Sequence, residues 1–128
     1  MGATMNQTQT EAALSKSGRA LFGAVIIAPE NAAEVRKLIP RNIFTRPHDR
    51  VIYDAILNIE WPDIVQVGKA IKEAKGFPNY YDIPANYLST CVKECPICFE
   101  YEEYAQVCIY FASELNFEPT DIKGGTPV

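Results

Sequence analysis

The sequence predicts an all-α fold, a compact bundle of about six helices. Apolar residues recur at helical spacings of three and four along most of the chain, and no segment alternates apolar and polar residues between hairpin turns. Proline and glycine divide the chain into segments with short connections, which favours packing of neighbouring helices against one another. The length of 128 residues and the apolar content of 48% fit one globular domain.

The longest helix is predicted over residues 11–28, and its second half is apolar on nearly every side. Such a helix belongs at the centre of a bundle. Pro29 ends it, and a short second helix follows and ends at Pro40. The clearest amphipathic helix comes next, with Thr45 as the expected N-cap and Pro47 in its first turn.

Three further helices are predicted in the second half of the chain. Asp63 is expected to cap a helix that stops at Gly76, and another lies between Pro84 and Pro96. The last helix carries an apolar stripe through Leu115. The predicted organisation is therefore a disordered lead-in over residues 1–10, a helical domain over residues 11–117 and a flexible tail over residues 118–128.

Charge is unevenly distributed around the net value of -4. Residues 19–50 contain six basic and three acidic side chains, whereas residues 51–128 contain five lysines and twelve acids. The acidic half argues against direct nucleic-acid binding, which requires a basic face. The basic stretch is either a solvated helix edge or a docking patch for a protein partner. The surface to test first combines its basic residues with exposed aromatic residues, Tyr80 being a further example. The candidate residues for partner binding are Arg36, Lys37, Arg41, Arg46, Arg50 and Trp61.

Nothing in the sequence predicts a membrane span or a secretory signal, so the expected location is the cytoplasm. Gly18 and Gly23 have the spacing of a phosphate-binding loop, but Ala24 and Val25 stand where a lysine and a serine or threonine belong. We interpret the two glycines as close-packing positions on a buried helix. His48 is the only histidine, and no serine or cysteine follows a nucleophile motif, so we expect no enzymatic activity.

The four cysteines leave two interpretations open. Three of them have the C-x3-C-x2-C spacing that binds iron–sulfur clusters in some enzymes, so the set could hold zinc or a cluster in a redox or sensing role. Two of them also lie on the apolar stripe of a predicted helix, where cysteine behaves as a small buried hydrophobe. We favour the core interpretation, with no cofactor and no disulfide. The four residues are Cys91, Cys95, Cys98 and Cys108.

Taken in order, several short stretches resemble the N-terminal domain of DnaB-type replicative DNA helicases. The most specific is FTRPHDRVIY at residues 44–53, which is similar to a signature of that family. The others are the Phe-Gly-apolar run at residues 22–27, the apolar-Pro step at residues 38–44, the PDIVQV helix start at residues 62–67, Tyr87 with Leu88, Pro96, and YAQVC at residues 104–108.

The resemblance implies a helical protein-interaction domain that acts in DNA replication without catalysis of its own. Expected partners are a replicative helicase, a primase or a second copy, which includes the possibility of a homodimer. Two departures limit what carries over. Gly18 replaces a glutamate that the family usually has, and the sequence contains neither the family's helical hairpin nor a Walker motif, so ATP hydrolysis and unwinding are not expected.

Overall fold

A computed structural model describes residues 6–40, 43–73, 87–95 and 97–115, and the side chain of Cys98 lies outside this description. Within these ranges the regular structure is entirely helical, with no strand, which confirms the predicted fold class. The α-helices are α1 (Gln7–Ile27), α2 (Ala32–Leu38), α3 (Pro47–Asn58), α4 (Ile64–Lys72), α5 (Tyr87–Lys93) and α6 (Tyr101–Glu114). Two 3₁₀ turns, Pro29–Asn31 and Cys98–Glu100, precede α2 and α6.

Helix α1 begins at Gln7, four residues before the helix start predicted at residue 11. The cause is a capping box. The Gln9 backbone N–H donates to the Asn6 side chain at 2.8 Å, and the Asn6 backbone N–H donates to the Gln9 side chain at 3.1 Å. These two bonds satisfy N–H groups that a helix start otherwise leaves unpaired, and this adds a turn to α1. Residues 1–5 and 118–128 lie outside the described residues.

The starts of α3 and α4 illustrate two different ways to begin a helix. Arg46, not the predicted Thr45, is the N-cap of α3, and its side chain makes no capping bond. Pro47 at the first helical position fixes φ and holds the preceding residue extended, so the helix starts where proline dictates. Helix α4 follows the prediction: Asp63 caps it and accepts from the Gln66 backbone N–H at 2.9 Å.

Helix α1 is the centre of the bundle and contacts α3, α4, α5 and α6. Its side chains Leu21, Phe22 and Val25 are fully buried, as the apolar second half predicts. Phe22 packs against the Phe44 ring at a centroid distance of 5.0 Å, and Phe44 packs against Tyr53 at 5.3 Å. The Tyr53 hydroxyl donates to the Ile39 carbonyl at 2.8 Å, which satisfies a polar atom that would otherwise be buried alone.

The two glycines of α1 are close-packing positions, as predicted. A Cβ on Gly18 would lie 2.8 Å from the Phe44 ring. A Cβ on Gly23 would overlap the Cys91 carbonyl oxygen and would lie 2.8 Å from the Cys91 carbonyl carbon and 2.9 Å from the Cys95 Cβ. The missing side chain at Gly23 therefore lets the α5 backbone rest directly on α1.

Helix α6 packs on α1 through Ala105, Cys108 and Ala112, three small buried side chains. Their size allows the two helix axes to approach closely. Across the residues that the structure describes, none of the helices has the length and apolar character needed to cross a bilayer.

We predict opposite effects of alanine at two glycines. Gly23→Ala should lower the free energy of unfolding by about 2–3 kcal/mol, because the added Cβ meets backbone atoms that cannot rotate away. Gly68→Ala is the matched control: it lies inside α4, and its Cβ would meet only the Leu88 side chain at 3.8 Å. It should raise stability by about 0.5–1 kcal/mol through helix propensity. Urea denaturation measures both, and equal effects would refute the close approach at Gly23.

Candidate functional site

A buried carboxylate joins three helices. Asp49, the third residue of α3, is 1% exposed. It accepts a hydrogen bond from the Tyr87 hydroxyl at the start of α5, at 3.2 Å, and another from the Ser15 hydroxyl of α1. A carboxylate needs such donors when it is removed from water. We call Ser15, Arg19, Asp49, Tyr87 and Glu94 the Asp49 cluster.

Arg19 extends the cluster toward the surface. Its Nη1 donates to the Ser15 hydroxyl at 3.1 Å, and its Nε donates to the Glu94 carboxylate at 3.0 Å. The guanidinium and carboxylate side chains are 20% and 30% exposed, so this ion pair is partly shielded from solvent. Because Glu94 follows α5, the pair ties the end of α5 to α1 while Tyr87 ties its beginning to α3.

Burial dominates the electrostatics of the cluster. It raises the pKa of Asp49 despite the hydrogen bonds from Ser15 and Tyr87 and the nearby charges of Arg19 and Arg46. Burial together with the Asp49 charge also raises the pKa of Tyr87. The same two causes raise the pKa of the Cys91 thiol to about 12. At neutral pH the phenol and the thiol therefore keep their protons.

A cavity of about 350 Å³ opens beside the cluster. Arg46 and His48 line it, and the His48 ring stands edge-on to Tyr87 at a centroid distance of 5.4 Å. Serine, histidine and aspartate thus meet in one place, but the order of contacts differs from a hydrolytic triad. In a triad the histidine lies between the serine and the carboxylate, whereas Asp49 here bonds Ser15 itself. The hydrogen bonds of this arrangement converge on the Asp49 carboxylate.

The predicted basic patch is divided by the fold. The Arg36 guanidinium donates to two carbonyls at the end of α3, those of Ile56, at 2.7 and 3.0 Å, and Ile59. Arg46 and Arg50 lie at the N-cap and in the first half of α3, about 15 Å and about 9 Å before Ile56 along the helix axis at 1.5 Å per residue. The two ends of α3 therefore carry separate sets of basic residues.

The other candidates for partner binding have different surroundings. Lys37 is exposed and pairs with Glu34 at 3.3 Å, one turn earlier on α2. Trp61 is 53% exposed in the connection between α3 and α4. Arg50 and Arg46 are exposed, although Arg46 also lines the cavity. Arg41 and Tyr80 lie outside the described residues.

Cys91, Cys95 and Cys108 are buried thiols, as the core interpretation predicts. Burial raises the pKa of Cys108 as well as that of Cys91, so both thiols keep their protons at neutral pH. Among the residues that the structure describes, no three histidine, cysteine, aspartate or glutamate side chains are grouped to hold a metal ion. The side chain of Cys98 is outside the description, so the predicted four-cysteine set is placed for three members.

The sequence interpretation did not identify the Asp49 cluster, although one signal was present. Asp49 precedes Ile52, Tyr53 and Ile56 by three, four and seven residues, so it continues the apolar stripe of α3. An acidic residue on a buried stripe requires partners. Which residues supply them depends on how α1 and α5 pack, and a helical period carries no such information.

The first site prediction concerns pH. Because the folded pKa of Asp49 is raised, the unfolded chain releases this proton at lower pH than the folded chain. The cost of ionised Asp49 is therefore absent below the unfolded pKa and grows as pH rises through the folded pKa. Asp49→Asn should gain stability relative to the wild type as the pH rises above ~4. Urea denaturation across that range measures it, with the partly exposed Asp54→Asn as control; a pH-independent difference would contradict the prediction.

The neighbouring cations Arg36 and Lys37 should differ in how much they stabilise the fold. Arg36→Ala should lower the free energy of unfolding by about 2 kcal/mol, because it removes charged donors from carbonyls at the end of α3. Lys37→Ala should change it by less than about 0.5 kcal/mol, because its ion pair is exposed. Chemical denaturation measures both. Equal losses would mean that Arg36 does not hold α2 to α3.

Comparison with known proteins finds no family model, no curated protein and no solved structure that matches this chain. The likeness to the DnaB N-terminal domain thus stands on the sequence stretches alone. Those stretches include core positions such as Phe22, Phe44 and Tyr53, which contact one another in the folded chain.

Proposed function

We propose that this chain is a non-catalytic protein-interaction domain of the DNA replication machinery, of the kind found at the N-terminus of DnaB-type helicases. Its partner is a replicative helicase, a primase or a second copy of the chain. The helical bundle and the ordered sequence stretches support the assignment to this kind of domain. The Asp49 cluster supports the absence of catalysis, because its polar groups bond one another and none is poised as a nucleophile.

The observation that carries the proposal is an exposed apolar patch at the start of α4. Trp61, Ile64 and Val65 are 53%, 43% and 69% exposed, although they lie within five residues of one another. Large apolar side chains grouped on a surface mark protein-binding sites, and tryptophan is enriched among residues that contribute most to binding. We call these three residues the Trp61 patch.

Two neighbouring sets of hydrogen bonds hold the backbone on either side of the Trp61 patch in place. Asp63 caps α4 from inside the patch, which fixes the first turn that carries Ile64 and Val65. Arg36 binds the carbonyls that end α3 two residues before Trp61, so the connection is held on both sides. A rigid patch loses little conformational entropy when a partner covers it.

The test is binding of purified helicase, primase and the chain itself by wild type and variants. We expect the double variant Trp61→Ser and Val65→Ser to weaken binding at least tenfold, since it removes the apolar anchors without touching the core. Sedimentation velocity of the chain alone measures self-association. Failure of the wild type to bind the helicase, the primase or a second copy would reject the proposal.

A charge-reversal variant tests the basic residues separately. Arg46→Glu with Arg50→Glu changes two exposed side chains at the start of α3, and binding that survives this change would exclude them from the interface. Arg36 is unsuitable for this purpose because its loss is expected to destabilise the fold. Circular dichroism of each variant serves as the folding control.

A further inference from the structure

The outer face of α6 carries a second apolar surface, distant in sequence from the Trp61 patch. Phe99, Val107 and Tyr110 are 74%, 41% and 58% exposed. At 100° per residue Val107 and Tyr110 lie on the side of α6 opposite the buried Ala105 and Cys108, and Phe99 lies in the 3₁₀ turn that precedes the helix. We call Phe99, Val107 and Tyr110 the strip, and its side chains do not belong to the buried core. The core does not require these side chains.

The strip borders a shallow depression of about 490 Å³ on the surface of α6, which we call the α6 groove; it is lined by Glu103, Gln106, Val107, Tyr110 and Phe111, all from α6 itself. These positions follow one another at spacings of three, one, three and one, so they form one side of two successive turns. The Tyr110 and Phe111 rings meet edge to face at 5.2 Å and form one end of the lining. From Glu103 to Phe111 the lining is about 12 Å long, which matches two turns of a second helix.

The charged side chains on α6 itself and on the turn before it are all acidic. Helix α6 and the 3₁₀ turn before it contain Glu100, Glu102, Glu103 and Glu114, with no lysine or arginine among them. An anionic membrane surface or a nucleic-acid backbone would be repelled by such a rim. A symmetric dimer through this face would bring carboxylates against carboxylates, because both copies contribute the same patch.

We infer that the α6 groove docks an amphipathic helix of a protein partner, whose apolar side chains fill the groove and whose lysines or arginines flank them and face the α6 carboxylates. Helix-in-groove recognition uses anchors at spacings of three and four, which the length and spacing of this strip match. The inference deepens the proposed function and rests on it, since it adds the chemistry of a partner. The groove and the Trp61 patch are separate surfaces and can be tested separately.

The probe is a fluorescein-labelled synthetic helix of about 16 residues with leucines on one face and lysines beside them. Two control peptides have the same composition in scrambled order, or glutamate in place of each lysine. We expect fluorescence anisotropy to show saturable binding of the lysine peptide to the full chain. Binding should be at least tenfold weaker for either control and should weaken as salt is raised.

Variants then assign the binding to the groove. Tyr110→Ser removes an exposed ring and should weaken binding of the lysine peptide at least tenfold. Glu103→Lys should weaken the lysine peptide and strengthen the glutamate peptide, a reversal that a structural defect would not produce. Trp61→Ser is the matched control on the other surface and should leave peptide binding unchanged.

The inference is overturned if the scrambled peptide binds as well as the ordered one, or if Tyr110→Ser and Glu103→Lys change nothing. It is also overturned if sedimentation shows a dimer that Tyr110→Ser abolishes, since a second copy would then occupy the groove. Loss of peptide binding only in Trp61→Ser would move the site to the other patch. If the helicase or primase binds through the Trp61 patch while no peptide binds α6, the proposed function survives and this inference fails.

Discussion

The rest of the bundle depends on how closely its other segments approach α1. At Gly23 the backbone of α5 occupies the space where any other residue would place a side chain, and at Gly18 the Phe44 ring does the same. Glycine costs helix stability because it gains backbone freedom on unfolding, so two of them in one helix must be offset by packing. The offset is visible in the fully buried side chains around them. The long central helix is thus held by its neighbours and not by its own propensity.

The Asp49 cluster adds hydrogen bonds with a required geometry to that packing. Apolar contacts between helices tolerate small rotations and shifts, whereas hydrogen bonds to a buried carboxylate do not. Asp49 joins α1, α3 and α5 through Ser15 and Tyr87, so a shift of any one of these helices would lengthen a hydrogen bond to the buried carboxylate. The raised pKa shows that burial of the charge is not fully compensated. The buried charge therefore lowers the stability of the bundle while its hydrogen bonds help to define how the helices are arranged. Buried polar groups contribute to structural specificity in this way in some other helical proteins.

The helices themselves could be predicted from the sequence because their signals are local. Proline at residue 29, proline at residue 47 and the Asp63 cap each act within a turn of where they stand, and each marks a real helix boundary. The start of α1 was missed because its capping box pairs two residues, Asn6 and Gln9, that lie before the apolar pattern begins. Periodicity identifies where an apolar face runs and is insensitive to a polar turn added in front of it.

The parts that sequence could not supply are those made between helices. Arg36 reads as one more cation in a basic stretch, yet its guanidinium is committed to the carbonyls of Ile56 and Ile59. The sequence does not show which backbone carbonyl will accept a hydrogen bond, because every residue has a carbonyl group. The spacing of Cys91 and Cys95 likewise fits a metal motif and a buried stripe equally well. The packing of the helices buries both side chains, which their spacing alone does not reveal.

Contacts of this kind also determine which charged side chains are already paired at the surface. In the basic stretch, Arg19 is paired with Glu94, Arg36 with backbone carbonyls and Lys37 with Glu34. Glu102 and Glu103 on α6 are exposed, and α6 contains no lysine or arginine. Each of the two ion pairs combines one cation with one carboxylate, so both pairs leave the net charge of -4 unchanged. Under the proposed function, this net charge favours the approach of basic partners before any contact forms, and the exposed apolar side chains determine which of them stay bound. Variants of charged residues and variants of apolar residues must therefore be measured apart.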